Sequence, residues 1–112
     1  MTYECLVDRA FAIGLQQIPE EILELVKFVA ALRPKNVLEI GSARGASFYL
    51  WCMVADPNGK KISVDLPGGV YGGEENADPR IRSKRDNAMR SWAKGVYLIA
   101  GDSHHQIGRA HV

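Results

Sequence analysis

Three short apolar runs, at residues 36–40, 61–65 and 96–100, lead into a glycine or end on an aspartate, and stretches of helical pattern separate them. This alternation constrains the fold more than any other feature. Strands that alternate with helices predict βαβ units with right-handed crossovers, and hence a parallel sheet. Parallel strands covered on both faces read as near-continuous apolar runs, as Val-Leu-Glu-Ile, Ile-Ser-Val and Val-Tyr-Leu-Ile-Ala do here. The expectation is an α/β chain with three parallel strands in the order 3-2-1.

The intervening stretches have their own signals. Pro19, Glu20 and Glu21 suit the first turn of a helix, where proline is tolerated and acidic groups meet the helix dipole. Ile18, Ile22, Leu25, Val26, Val29 and Leu32 recur at helical spacing and predict one buried face. Arg33 precedes Pro34 and ends that helix, because a residue before proline resists the helical region. Residues 46–55 are apolar nearly all round, as in a helix packed on a sheet, and Asp56-Pro57-Asn58-Gly59 stops them. Residues 79–93 read as a helix with a basic outer face, and the basic stretch of Arg80, Arg82, Lys84, Arg85, Arg90 and Lys94 reads as solvated. The glycine-rich stretch 67–73 reads as a mobile loop, with Tyr71 a weak candidate for a lid. Residues 1–16 are ambiguous: Phe11, Ile13 and Leu15 alternate, but the stretch is short.

Composition removes several function classes. The 112 residues suit one domain, and 46% hydrophobic with 24% charged residues are globular proportions. A formal net charge of +1 gives no case for nucleic acid or an anionic membrane. The longest apolar run, 48–55, is too short to cross a bilayer, and the N-terminus has no signal pattern, so a cytoplasmic setting is expected. Cys5 and Cys52 lack ligand spacing and read as reduced thiols. His104 and His105 are adjacent and diverge on extended backbone, so no metal site is expected. Ser47 and Ser103 sit in no GxSxG motif.

Ligands of open α/β sheets bind outside the carboxyl ends of the strands, and here all three ends carry suitable groups. Gly41 and Gly45 would let a ligand approach the backbone between the first strand and the next helix. The same turn serves equally as a plain strand-to-helix connection. The dinucleotide fingerprint GxGxxG fails, because Ala43 and Ala46 stand where its second and third glycines belong. Glu39 beside the turn would repel phosphate oxygens and suits a cation. Asp65 can accept both hydroxyl hydrogens of a ribose, or act as a turn residue. Asp102 can accept from an adenine amino group, and Ser103 can bond the ring edge; turn chemistry is the alternative for both.

The segments Val37-Leu38-Glu39-Ile40-Gly41-Ser42-Ala43-Arg44-Gly45-Ala46-Ser47, Ile62-Ser63-Val64-Asp65-Leu66-Pro67-Gly68-Gly69 and Leu98-Ile99-Ala100-Gly101-Asp102-Ser103-His104 resemble the first three motifs of class I S-adenosylmethionine (SAM) dependent methyltransferases. The set is most similar to the branch of cephalosporin hydroxylase and small-molecule O-methyltransferases, over residues 17–105. The resemblance implies the Rossmann-like, N-terminal half of a methyltransferase fold. It implies that Glu39, Gly41, Ser42 and Gly45 line the methionine part of SAM, with Asp65 at the ribose and Asp102 and Ser103 at the adenine. Ala46 departs from the glycine common in that branch and adds a methyl group there.

Methyl transfer to a small-molecule hydroxyl is the activity expected of the intact protein. Its catalytic residues are expected after a fourth strand, beyond the C-terminus. The fragment itself is expected to be inactive, and it gives no sign of whether a divalent metal takes part. A nicotinamide-dependent oxidoreductase and a non-catalytic SAM-binding module are the alternatives. Residues 107–112, Ile-Gly-Arg-Ala-His-Val, coincide with one translated frame of a common sequencing adapter. Natural sequence is therefore expected to stop near Gln106, with 1–106 as a partial domain.

Overall fold

The computed structural model describes residues 1–41, 44–65 and 79–100. Seven elements follow one another: α1 (Tyr3–Ile13), α2 (Pro19–Leu32), β1 (Val37–Ile40), α3 (Ala46–Val54), β2 (Lys61–Asp65), α4 (Pro79–Ser91) and β3 (Val96–Ala100). The three strands are parallel, with β2 in the centre. The fold is mixed α/β, and its strand order is the one read from the sequence.

The ambiguous N-terminal stretch is a helix. Thr2 caps α1 by accepting the Cys5 amide at 3.1 Å. Gly14 closes it, with its N–H shared between the carbonyls of Ala10 and Phe11. Leu6, Val7 and Ala10 are buried at helical spacing, and they override the short alternation of Phe11, Ile13 and Leu15. In α2, Pro19 starts the helix, and Arg33 ends it in the left-handed region at φ 51°, outside the right-handed helical region that the proline after it disfavours. The expected single buried face is narrower than its apolar pattern. Ile22 and Val26 are buried, whereas Ile18, Leu25 and Leu32 remain exposed, as does Phe28. Contact with α1 and α3 covers only one stripe of α2.

Helix α3 is apolar all round because it is held from two sides. Tyr49 and Leu50 join Leu6, Val7, Ala10, Ile22 and Val26 in one cluster. Phe48 and Cys52 join Met89 of α4 in a second, packed on Val96 and Leu98 of β3. Tyr49 is thus core, and its burial is against the helices. Two crossovers that advance in one direction place their helices on one face of a sheet, and this shared cluster shows α3 and α4 doing so.

The opposite face is a correction to the expectation of strands buried on both sides. Register aligns Leu38, Ile62 and Tyr97 in one row and Ile40, Val64 and Ile99 in the next. Val64 is buried, but Leu38, Ile40 and Tyr97 are 53%, 57% and 51% exposed. No described helix covers these side chains on the edge strands.

Lys61 is fully buried at the start of β2, although lysine is almost never placed there without partners. Its ammonium donates to the carbonyls of Asp56 at 2.6 Å, Gly59 at 3.0 Å and Lys94 at 3.5 Å. It thereby ties the α3–β2 and α4–β3 connections to the amino ends of the strands. Replacing Lys61 by Ala removes a donor from each of those carbonyls, of which Asp56 keeps the Gly59 N–H at 2.9 Å, and opens a cavity. Urea denaturation is expected to show a stability loss of about 3 kcal/mol. Lys60→Ala, on an exposed side chain, is expected to lose less than about 0.5 kcal/mol.

Candidate functional site

Four of the sequence-derived site residues, Glu39, Gly41, Gly45 and Asp65, lie at the carboxyl ends of β1 and β2. Ser42, Asp102 and Ser103 lie outside the described residues, as do Tyr71, His104, His105 and residues 107–112. Glu39 pairs in register with Ser63, and Asp65 stands two residues further along β2. The two carboxylates therefore share the sheet face covered by α3 and α4.

Glu39 is held by α3. Its Oε2 accepts from the Ser47 hydroxyl at 2.7 Å and from the Trp51 indole N–H at 2.9 Å. Ser47 and Trp51 are four residues apart, so both point from the same side of the helix. Among the described residues, Oε1 of Glu39 is buried and has no hydrogen-bond partner. An unpaired buried carboxylate oxygen is unfavourable by roughly 1–3 kcal/mol or more, so it calls for a donor or a cation. Sequence reasoning missed both clamps on Glu39. Their signal was a serine and a tryptophan at i and i+4 in the helix directly after an acidic strand end.

The two glycines of the turn differ in role. Gly41 has φ 78°, and among the described residues a Cβ built on it would meet nothing within 4 Å. Gly41 donates its N–H to the Val64 carbonyl at 2.7 Å. Gly45 has φ 89° at the N-cap of α3, and its Cβ would come within 3.2 Å of Met89 and Trp92. Its missing side chain therefore admits the helix layer beneath the turn, besides permitting the left-handed backbone.

Asp65 is buried and already engaged. Nη1 of Arg85 donates to its Oδ2, while Nε and Nη2 of Arg85 donate to Asp86 Oδ1 at 3.1 and 2.8 Å. Burial opposes the Arg85 charge, but the hydrogen bonds and charges of Asp65 and Asp86 outweigh it and raise the guanidinium above its ordinary value. Arg85 thus corrects the reading of α4 as a wholly solvated basic face: its side chain is only 9% exposed. The cavity beside Asp65 measures about 20 Å³, enough for about one water, and Glu39 does not line it. Arg85 thus already occupies Oδ2 of the carboxylate expected to meet a ribose.

Burial pushes the Cys52 thiol up to about 12, with Glu39 adding to the shift and Lys61 opposing it. Both cysteines are free thiols. Among the described residues, no three His, Cys, Asp or Glu side chains converge on a metal position, and no helix is long and apolar enough to cross a membrane. No protein-family model matches the chain, and no curated protein is significantly similar to it.

The surroundings of Arg85 and of Cys52 each have measurable consequences. Arg85→Ala leaves Asp65 buried without its cation and is expected to lower stability by about 3 kcal/mol in urea denaturation. Arg90→Ala, on the exposed side of α4, is expected to change it by less than about 0.5 kcal/mol. The Cys52 thiol stabilises the fold fully below its ordinary value of 9.0, and that contribution falls away as pH rises from there toward 12. At neutral pH, a thiol reagent is expected to modify Cys5 readily and Cys52 only on unfolding. Equal rates at the two would contradict the burial of Cys52.

Proposed function

We propose that the chain is the cofactor-binding portion of a SAM-dependent methyltransferase, with a Rossmann-like sheet, and that the intact protein methylates a hydroxyl group of a small molecule. The observation that carries this reading is the Oε1 oxygen of Glu39, buried at the tip of β1 and, among the described residues, without a hydrogen-bond partner, two residues before Gly41, where a Cβ would meet no described residue within 4 Å. A carboxylate with one oxygen clamped and one oxygen vacant is suited to an ammonium donor or to a neighbouring sulfonium. The same group disfavours a pyrophosphate, which weighs against the nicotinamide reading.

SAM, when bound, supplies an electrophilic methyl group on sulfur. The residues of this chain hold and orient it: Glu39 for the cationic amino-acid end, with Gly41, Ser42 and Gly45 forming the turn against it. Asp65 is the ribose acceptor, with Asp102 and Ser103 at the adenine. Catalysis then rests on alignment of an acceptor oxygen with the methyl group. The residues that activate the acceptor are proposed to come from sequence beyond this chain.

Isothermal titration of the chain with SAM, and with NAD in parallel, tests the reading. SAM is expected to bind and NAD to bind at least about tenfold more weakly. Glu39→Gln keeps the shape but removes the charge, and is expected to weaken SAM by about tenfold or more. Preferential binding of NAD, or equal SAM affinity in the Glu39→Gln chain, would contradict it.

A further inference from the structure

Helix α2 carries more apolar surface than its neighbours cover. Ile22 and Val26 are buried with residues of α1 and α3, while Ile18, Leu25, Phe28 and Leu32 are 55%, 45%, 63% and 65% exposed. Single exposed apolar residues need no explanation, but these four are not scattered. Ile18, Leu25 and Leu32 follow one another at intervals of seven, from the N-cap to the last residue of the helix, and Phe28 stands three after Leu25. These are the a and d places of a heptad, which align on one side of a helix and form the seam between paired helices. Glu21 takes the other d place and is the polar break in the seam.

The two ends of α2 are opposite in charge. Glu20 and Glu21 lie in its first turn, and Arg33 and Lys35 follow its last. All four residues are exposed. Between them, Glu24 and Lys27 pair within the helix at 3.7 Å. A second copy of the helix laid alongside in the same direction would set acid on acid and base on base. Laid antiparallel about Leu25, midway between Ile18 and Leu32 in sequence, it sets Ile18 beside the partner's Leu32. The same arrangement brings Glu20 and Glu21 toward the partner's Arg33 and Lys35. A two-fold axis at Leu25 makes the contact self-complementary, so that apolar seam and charge select the same occupant and the same direction.

We propose that the exposed stripe of α2 is a homodimer interface, in which two copies of this chain pair their α2 helices antiparallel. The 14 residues of α2 extend about 21 Å. A contact of that length is smaller than the standard interface of about 1,600 Å². The dimer is therefore weak, with a dissociation constant of roughly 100 μM. It does not depend on the methyltransferase reading, and binding of SAM neither supports nor removes it.

Sedimentation equilibrium of the unaltered chain, between about 10 μM and 1 mM, is expected to show a reversible monomer–dimer equilibrium. Phe28→Glu places a charge in the seam and is expected to weaken the dimer at least about tenfold. Its urea midpoint, measured where the chain is monomeric, is expected to stay in place, because Phe28 lies outside the core. Leu38→Lys, on the exposed sheet face, is expected to leave the dimer intact. A chain carrying Glu20→Lys with Glu21→Lys, and another carrying Arg33→Glu with Lys35→Glu, are each expected to dimerise about fivefold more weakly. An equimolar mixture of the two is expected to recover the original affinity, since their charges match again across an antiparallel pair. A chain that stays monomeric at about 1 mM would overturn the proposal and leave the stripe to a different occupant. So would a dimer lost with Leu38→Lys but kept with Phe28→Glu, or charge-reversed chains that each dimerise as strongly as the original.

Discussion

The tips of β1 and β2 depend on α3 being gripped from both sides. The helix offers Tyr49 and Leu50 to α1 and α2, and Phe48 and Cys52 to α4 and β3. Two independent apolar clusters fix its rotation, so its polar and aromatic positions have little choice of direction. Ser47 and Trp51 are thereby aimed at Glu39, and Gly45 at the helix layer. A chain with the same β1 motif but an amphipathic α3 would lose one of these grips and with it the clamp on the carboxylate.

The two acidic strand ends illustrate different solutions to one problem. A buried carboxylate must be paired or hydrogen-bonded. Asp65 meets that demand within the chain, through Arg85. Glu39 meets it only by half, with Oε2 bonded and Oε1 without a partner among the described residues. Self-sufficient groups stabilise the fold, whereas an incomplete one marks the place where a ligand gains most. In the proposed reading, Glu39 is therefore the stronger anchor, while Asp65 has one oxygen already held by Arg85.

Much of the architecture was legible in the residues, for physical reasons. The strand at 61–65 was read with its observed bounds, because Gly59 before it and the buried Ile-Ser-Val run leave little freedom. Pro19 and Pro34 fixed both ends of α2 to within a residue or two. Helix α1 was not legible, since its burial pattern, Leu6, Val7 and Ala10, only has meaning once α2 and α3 are in place. Arg85 looked like one more exposed cation on a basic helix, and only the proximity of β2 turns it inward. Lys61 gave no signal at all: its three carbonyl partners come from loops up to 33 residues away. At the site, the acidic and glycine positions could be read from local motif chemistry, but the asymmetry of the Glu39 carboxylate could not.

That asymmetry is the centre of the functional account, and carbon NMR of the Glu39 side-chain carboxylate tests it most directly. With the glutamates labelled at Cδ and Glu39 assigned, saturating SAM is expected to shift its resonance, while NAD at the same concentration leaves it in place. A Glu39 resonance that does not move when SAM is bound would contradict the assignment of the open oxygen as the ligand's anchor.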